Sequence, residues 1–238
     1  MIKVGSVKAL LFDVFGTCVD WRGSIIKEGE ALNARLKTKT DWAALADAWR
    51  GNYQPSMEKV RSGERPYANL DKLHRETLDT LARKHGLDHL AEAEIADINR
   101  MWHRLEPWPD TVGGLTRLKK KYIIAPLSNG NVALLTNMAK RAGIPWDLVL
   151  GAETSRAYKP LPAAYLNAAA MLGLDPGEVM LGAAHNGDLA AARAVGLRTA
   201  FVPRPTEHGA GQKIDLAASD AWDVVASDFN DLAARLGA

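Results

Sequence analysis

The spacing of apolar residues changes twice along the chain. The first apolar run, Val7 to Phe12, is short and unbroken, which predicts a buried strand that ends in a tight turn at Asp13. From about residue 24 to residue 105, apolar residues recur instead at three- and four-residue steps, as in amphipathic helices. Pro55 interrupts this pattern, and the prolines at 107 and 109 end it. We therefore expect one strand followed by a helical region that contains no strand.

After residue 110 the two patterns alternate. Strand-like runs are expected at 122–127, 147–150, 179–182, 199–202 and 223–226, and helices at 111–120, 131–141, 162–172, 188–195 and the end of the chain. Strands that alternate with helices form a parallel sheet covered on both faces. The predicted fold class is α/β: a doubly wound, Rossmann-like core of residues 1–18 and 109–238, with a helical cap domain, residues 19–108, inserted after the first strand. An insert at that place would cover the strand ends as a lid.

Charge and cysteine content narrow the functional classes. The chain has 30 Lys and Arg against 28 Asp and Glu, a net charge of +2, and the two signs are well mixed. No basic stripe suggests a nucleic-acid or membrane partner. Cys18 is the only cysteine, so no internal disulfide can form and a reducing compartment is expected. We read neither a signal peptide nor a membrane span, and therefore expect a cytoplasmic enzyme.

Four short polar segments follow predicted strands. They are Asp13-Val14-Phe15-Gly16-Thr17, Ser128-Asn129-Gly130, Lys159-Pro160 and the seven residues from Gly182 to Asp188. Ligands of open α/β sheets bind beyond the carboxyl ends of the strands, so these segments should meet there. Each segment is common by itself. The four in this order closely resemble the haloacid dehalogenase superfamily, over essentially the whole chain.

Two positions decide which reaction this resemblance implies. Phosphatases of the superfamily carry further carboxylates where this chain has Phe15 and Ala183. A magnesium ion needs oxygen ligands and would find too few here, and phosphoryl transfer needs its negative charge neutralised. The chain is instead similar to the L-2-haloacid dehalogenases (type II), which work without a metal. The resemblance implies hydrolysis of a short 2-haloalkanoic acid, a haloacetate or L-2-halopropionate, to the 2-hydroxy acid, with water and without metal or cofactor.

The resemblance also implies catalytic roles. Asp13, whose carboxyl is ionised at neutral pH, would attack carbon and form an ester. Thr17, Ser128 and Lys159 would hold its carboxylate. Asp188, in a network with Lys159, would polarise the water that hydrolyses the ester.

A second set of residues would contact the substrate. Arg50, in the predicted cap, and Asn129 would receive the halide, and Tyr165 would lie near the substrate. Phe15 would form an apolar wall beside the nucleophile. The remaining predicted contacts are Val14 and Asn186. The resemblance further implies a homodimer.

The fourth segment departs from the family pattern. Dehalogenases of this type have Ser and Asn where this chain has Ala183 and His185, and a large aromatic residue where it has Gly187. His185 could hold the water, act as a base or contact the halide, since imidazole donates or accepts near neutral pH. The change at Gly187 alters the pocket shape and leads to the hypothesis of a small substrate such as a haloacetate, including fluoroacetate.

Three alternatives stay open. One is a magnesium phosphatase of the same fold, against which Phe15 and Ala183 argue. Another is hydrolysis of a different activated carbon electrophile by the same aspartate. The third is a catalytically silent protein that binds a small acid or a partner; the presence of Asp13, Lys159 and Asp188 together argues against it.

Overall fold

The computed structural model describes residues 6–238, so the first five residues of the predicted core lie outside it. Within that range the strands are β1 (Ala9–Phe12), β2 (Val19–Asp20), β3 (Glu106–Pro107), β4 (Ile123–Ser128), β5 (Leu150–Gly151), β6 (Val179–Ala183), β7 (Arg198–Phe201) and β8 (Val224–Val225). The helices are α1 (Trp21–Leu36), α2 (Trp42–Gly51), α3 (Tyr53–Arg61), α4 (Leu70–Ala82), α5 (Glu92–Asn99), α6 (Thr111–Leu118), α7 (Val132–Ala142), α8 (Ala152–Ser155), α9 (Pro162–Met171), α10 (Asn186–Ala194) and α11 (Phe229–Arg235).

A six-stranded sheet forms the core. Its order is β5-β4-β1-β6-β7-β8, and every neighbouring pair is parallel. Strand β1 lies inside the sheet, with Leu10 and Phe12 in one apolar cluster and Ala9 and Leu11 in the other. Because both faces are covered, β1 reads as an unbroken apolar run. The predicted α/β doubly wound fold is confirmed.

Helices α1 to α5 form an insert between β2 and β3. These two strands pair antiparallel, with Val19 opposite Pro107 and Asp20 opposite Glu106. The insert therefore leaves and rejoins the core at one place. The sequence pattern does not predict this ribbon, because two residues are too few to show a period.

Helix α3 is also absent from the prediction, because Pro55 indicates an interruption of the helical pattern. Pro55 is the third residue of α3 (Tyr53–Arg61). The backbone N–H groups of a first helical turn have no partner within the helix, so a proline fits there. The interpretation of Pro55 as a break in the helical region is wrong.

Two other boundaries differ from the prediction. Strand β5 is shorter than the predicted run 147–150 and begins at Leu150. At Asp147 the strand ladder is incomplete: its backbone N–H donates to Ile124 O, but its side chain, not its backbone, accepts from Ile124 N. Helix α10 begins at Asn186 instead of residue 188. Asp188 thus lies in the first turn of α10, inside the helix. Over residues 6–238, no helix has both the length and the apolar character needed to cross a membrane.

Candidate active site

A cavity of about 1200 Å³ opens at the carboxyl ends of the central strands, beneath the insert. Residues of all four predicted segments line it, and so do residues of the insert. From the core these include Asp13, Phe15, Asn129, Lys159, His185 and Asp188, and from the insert Trp21, Arg50, Tyr53 and Arg61. The structure thus brings together the polar segments that the strand pattern predicts to meet.

Asp13 follows β1 directly and is the centre of the polar network. Lys159 Nζ donates to its Oδ1 at 2.9 Å, and Thr17 Oγ1 donates to its Oδ2 at 2.7 Å. Burial by itself would raise the pKa of Asp13, but Lys159 and His185 outweigh burial and hold this pKa well below its usual range. The carboxylate is therefore ionised at neutral pH, as a nucleophile must be.

Lys159 joins two carboxylates. Its Nζ donates to Asp188 as well as to Asp13. Burial disfavours the ammonium, but Asp13 and Asp188 outweigh this effect and raise the pKa of Lys159. Tyr165 donates its hydroxyl to Asp188 Oδ1 at 2.7 Å, and Asn129 Oδ1 accepts from the backbone N–H of Lys159 at 2.8 Å. Tyr165 thus holds the Asp188 end of this ion-pair network, and Asn129 holds the backbone of Lys159.

His185 bridges Asp13 and Glu207. Its Nδ1 lies 3.0 Å from Asp13 Oδ2, and its Nε2 lies 2.8 Å from Glu207 Oε2. Burial lowers the pKa of His185, but hydrogen bonds to the two carboxylates outweigh burial and raise it to about 10. The ring is therefore an imidazolium at neutral pH, which argues against the hypothesis of a general base.

Glu207 is the main site residue that the sequence pattern does not predict. It is 1% exposed, and Trp21 Nε1 donates to its Oε1 at 3.0 Å. Gly16, in the turn after β1, has a φ of 86°, and a Cβ on it would lie 2.1 Å from Glu207 Oε1. Only a glycine leaves room for this carboxylate. Glu207 falls in a loop without periodicity, so no local pattern marks it.

Arg50 lies on α2, on the insert side of the cavity. Its guanidinium carbon is 4.2 Å from the centre of the Tyr53 ring and 5.4 Å from that of the Trp21 ring, within the range of cation–π contacts. Its Nη2 is 3.9 Å from Glu207 Oε1. Its Nη1 is buried and has no hydrogen-bond partner among residues 6–238. A buried donor without an acceptor is costly, so this N–H is suited to an incoming anion.

Phe15 belongs to an aromatic cluster at the cavity wall. It lines the cavity beside Asp13, with its ring centre 5.7 Å from Trp102 and 6.2 Å from Tyr53, both edge-on. The aromatic rings of the insert thus continue the apolar wall that Phe15 begins.

Ser128 and Val14 have other surroundings than the predicted ones. Ser128 Oγ accepts from the backbone N–H of Gly130 at 3.1 Å. The side chains that contact the Asp13 carboxylate within residues 6–238 are instead those of Thr17, Lys159 and His185. Val14 is buried in the apolar core. Both residues support the turns that carry their neighbours.

Asn186 is held outside the cavity. Its amide donates to Asp215 Oδ1 at 2.8 Å and accepts from Trp222 Nε1 at 2.9 Å. Because α10 begins at Asn186, the helical rotation directs Asn186 and Asp188 to different sides. The expectation that Asn186 contacts substrate therefore disagrees with the structure. The side chain of Asn186 instead holds the segment 215–222 by hydrogen bonds.

Arg61 at the cavity rim was not predicted either. Its Nη1 donates to the carbonyl oxygen of Lys159 at 2.8 Å, and so links the insert to the lysine loop. Arg61 could not be placed from the sequence, because the proline at position 55 argued against the helix α3 that carries it. Within residues 6–238 no group of three or more His, Cys, Asp or Glu side chains is arranged to hold a metal ion.

Comparisons with known proteins agree with this geometry. A family model for haloacid dehalogenase-like hydrolases matches residues 7–196. The crystal structure of a defluorinating L-2-haloacid dehalogenase is similar with a TM-score of 0.95 and 54% identity, covering 98% of this chain and 96% of that one. A second L-2-haloacid dehalogenase structure gives a TM-score of 0.95 and 51% identity, covering 97% and 99%. The (S)-2-haloacid dehalogenase 4A of Burkholderia cepacia is 29% identical over 204 residues, which are 84% of this chain and 85% of that protein. The chain belongs to the haloacid dehalogenase-like hydrolases and, among them, to the L-2-haloacid dehalogenases.

Proposed function

We propose that the protein hydrolyses the carbon–halogen bond of a short 2-haloalkanoic acid through an ester on Asp13. One observation carries the proposal: the ionised carboxylate of Asp13 and the guanidinium of Arg50 line the same cavity, together with aromatic rings, and the buried Nη1 of Arg50 has no hydrogen-bond partner among residues 6–238. Displacement of halide from carbon needs a nucleophile on one side of that carbon and an anion acceptor on the other. The products are the 2-hydroxy acid and halide.

The first step forms an oxygen–carbon bond. An oxygen of Asp13 attacks C2 of the haloacid, and the halide leaves with the bonding electron pair toward Arg50 and Asn129. Phe15 limits access of water to the reacting carbon, and Lys159 holds the carboxylate in place. An aspartate that is already ionised needs positioning more than activation.

The second step cleaves the ester at its carbonyl carbon. A water attacks Cγ of Asp13 and gives a proton to Asp188, which Lys159 and Tyr165 orient. The bond between Cγ and the alkylated oxygen breaks, and the alkoxide that leaves takes up the proton held by Asp188. The second proton of the water leaves Asp13 for the solvent, which restores the carboxylate. The hydroxy acid therefore carries an oxygen that belonged to Asp13, and the water oxygen stays in the carboxylate.

Phosphatase activity is the weaker alternative. The two positions where phosphatases of this fold carry further carboxylates are Phe15 and Ala183, both buried and apolar. The ammonium of Lys159 binds both Asp13 and Asp188, so the carboxylates that remain already have a cation between them. This proposal therefore includes independence from divalent metal.

Fluoride is included among the proposed leaving groups. One of the similar structures is that of a defluorinating enzyme, at 54% identity. Gly187 lines the cavity, and a Cβ on it would meet no atom within 4 Å. Position 187 thus leaves the cavity open where a large side chain would narrow it.

The test is a single turnover in heavy-oxygen water with a chelator present. We expect stoichiometric halide release, unlabelled hydroxy acid in the first turnover and, after several turnovers, label in the peptide that contains Asp13. Asp13→Asn, read in the same assay, controls for spontaneous hydrolysis. Label that enters the first-turnover product directly, or turnover that stops with the chelator and returns with magnesium, would refute the proposal.

We further propose that residues 19–108 act as a cap over a core of residues 1–18 and 109–238, in a cytoplasmic homodimer. The ribbon of β2 and β3 supports the cap, because it joins the two ends of the insert. The buried, unpaired Cys18 is consistent with a reducing compartment. The dimer rests on the family resemblance. Light scattering on purified protein tests it, and a monomer mass at micromolar concentration would exclude it.

A further inference from the structure

The two oxygens of Asp13 are partnered unequally. Oδ2 accepts from Thr17 Oγ1 at 2.7 Å and lies 3.0 Å from His185 Nδ1. Oδ1 accepts from Lys159 Nζ at 2.9 Å, its one donor among the described residues. A carboxylate oxygen has two lone pairs, so Oδ2 is saturated and Oδ1 keeps one pair free. A free lone pair is what attack on carbon requires.

The direction of both donors to Oδ2 is fixed by their other contacts. The backbone N–H of Ala184 donates to Thr17 Oγ1 at 2.9 Å, which leaves the hydroxyl hydrogen of Thr17 for Asp13. His185 Nε2 faces Glu207 Oε2 at 2.8 Å. An ionised carboxylate only accepts, so both nitrogens of a ring held between Asp13 and Glu207 must carry hydrogen.

Glu207 is fixed in its turn. Trp21 Nε1 donates to its Oε1, and Arg50 and His208 lie within 3.9 Å and 3.6 Å of that oxygen. The pKa of Glu207 is lowered: burial acts to raise it, but the hydrogen bond and charge of His185 outweigh burial. The result is a buried pair of imidazolium and carboxylate directed at one oxygen of the nucleophile.

We propose that Asp13 Oδ1 attacks the substrate and that Oδ2 becomes the ester carbonyl oxygen, with Thr17 and the His185–Glu207 pair forming its oxyanion hole. This inference rests on the proposed ester route and adds to it the identity of the attacking oxygen and of the groups that stabilise ester cleavage. Glu207 acts through His185 and is a positioning residue. In this proposal His185 acts as a hydrogen-bond donor in the second step. This role differs from the three predicted from the sequence, which were to hold the water, to act as a base or to contact the halide.

The electron balance of ester cleavage fits this arrangement. When water attacks Cγ, the carbonyl π pair moves to Oδ2, and negative charge returns to the place where His185 and Thr17 already donate. When that pair returns, the bond from Cγ to Oδ1 breaks and the hydroxy acid leaves with Oδ1. Donors that are oriented before charge develops contribute about 10²- to 10³-fold each to acyl transfer.

The first experiment separates the two chemical steps in His185→Ala. Rapid quench with a chloroacetate probe measures the first-turnover halide burst, and intact-protein mass measures the ester. We expect hydrolysis to slow by about 10²-fold or more while alkylation changes by less than about 10-fold, so that the ester accumulates. His89→Ala, at an exposed histidine, serves as a matched control. If both steps slow equally, or no ester accumulates, the inference is wrong.

Two companions keep this test informative. His185→Asn retains an N–H donor without the charge and should lie between wild type and His185→Ala in ester hydrolysis; a thermal melt shows that each variant is folded. A wild-type protein that never forms an ester at Asp13 would overturn the proposed function. A wild-type ester combined with an unchanged ratio of the two rates in His185→Ala would overturn only this inference.

Glu207→Gln tests the positioning role through pH. His185 faces Asp13 and Glu207, with Lys159 beyond Asp13 and with Arg50 and His208 beyond Glu207. In the free enzyme the two carboxylates outweigh burial and raise the pKa of His185 to about 10. In the ester Asp13 has lost its charge and only Glu207 still supports the imidazolium, so ester hydrolysis should fall at a pH below 10. Loss of the Glu207 charge lowers this pKa and should move the alkaline limb by at least about one pH unit downward. An alkaline limb that stays in place would contradict the assignment.

The trapped ester offers a direct view of the oxygen assignment. In a crystal of His185→Ala soaked with chloroacetate, we expect the carbonyl oxygen on the Thr17 side and the alkylated oxygen on the Lys159 side. The reversed orientation would exclude attack by Oδ1.

Discussion

The two walls of the cavity hold their charges in different ways. On the core wall, the carboxylates of Asp13 and Asp188 share the ammonium of Lys159, and each charge has an opposite charge within hydrogen-bond distance. On the insert wall, Arg50 lies against the rings of Tyr53 and Trp21, and its buried Nη1 has no hydrogen-bond partner in the part of the chain that the structure describes. The core wall is complete without substrate, whereas the insert wall has an unused donor.

This difference corresponds to the two ends of a displacement reaction. A nucleophile must be held in position before substrate arrives, and a network of mutual ion pairs does this without water. A leaving group needs a donor that no protein group already occupies. We therefore expect core substitutions to affect bond formation with every halide, and insert substitutions to affect the reaction according to the halide.

The largest effect is expected from Asp13→Asn. The amide is nearly isosteric but lacks the charge that attacks carbon, so ester formation should fall by at least about 10³-fold. Rapid-quench halide release measures it. A folded Asp13→Asn variant that retains more than a tenth of wild-type turnover would remove the core wall from the chemistry.

A smaller loss is expected from Lys159→Met, which keeps much of the side-chain length and removes the ammonium. Asp13 and Asp188 would then face each other without their shared cation, and burial would raise the pKa of Asp13. We expect about 10²-fold slower turnover at neutral pH, with the acid limb of the kcat/KM profile moved to higher pH. A pH profile identical to that of wild type would contradict the assignment of Lys159.

The residues of the core wall could be predicted from the sequence because of the topology of the sheet. Asp13, Lys159 and Asp188 belong to segments that follow parallel strands, and parallel strands end at one edge of a sheet. The turn glycine at position 16 was visible too. Its partner Glu207 was not, because only the folded chain brings residue 207 to within van der Waals contact of that turn.

The insert wall could be predicted only in part. The helical spacing indicates helices around Arg50, but periodicity does not give the direction of a side chain relative to another domain. Helix α3, which carries Tyr53 and Arg61, was hidden by a proline that its first turn accommodates. Ser128 and Asn186 show the converse limit: a motif position fixes the backbone, while local hydrogen bonds decide where the side chain points.

The next effect in size is expected from Arg50→Lys. Lysine keeps the charge but loses the planar group that stacks on Tyr53 and the second N–H. We expect kcat/KM to fall by about 10- to 100-fold, more for fluoroacetate than for bromoacetate, because fluoride depends most on a donor as it leaves. Arg75→Lys, on the outer surface of the insert, is the matched control. Equal losses for all halides would show that Arg50 does not contact the leaving group.

The smallest effect on turnover is expected from Asn186→Ala. Asn186 lies next to the site residue His185 but belongs to neither wall. Its amide holds the segment 215–222 through Asp215 and Trp222, so its loss should cost about 1–3 kcal/mol of unfolding free energy. The melting temperature should fall by a few degrees, about 2–4 °C for each kcal/mol. Because Asn186 donates to neither wall, kcat should stay within about threefold of wild type, and KM can rise only through Asp215 at the cavity rim. A large loss of kcat without a loss of stability would mean that Asn186 turns into the cavity when substrate binds. Asn186 would then belong to the reacting groups of the cavity and not to the residues that support them.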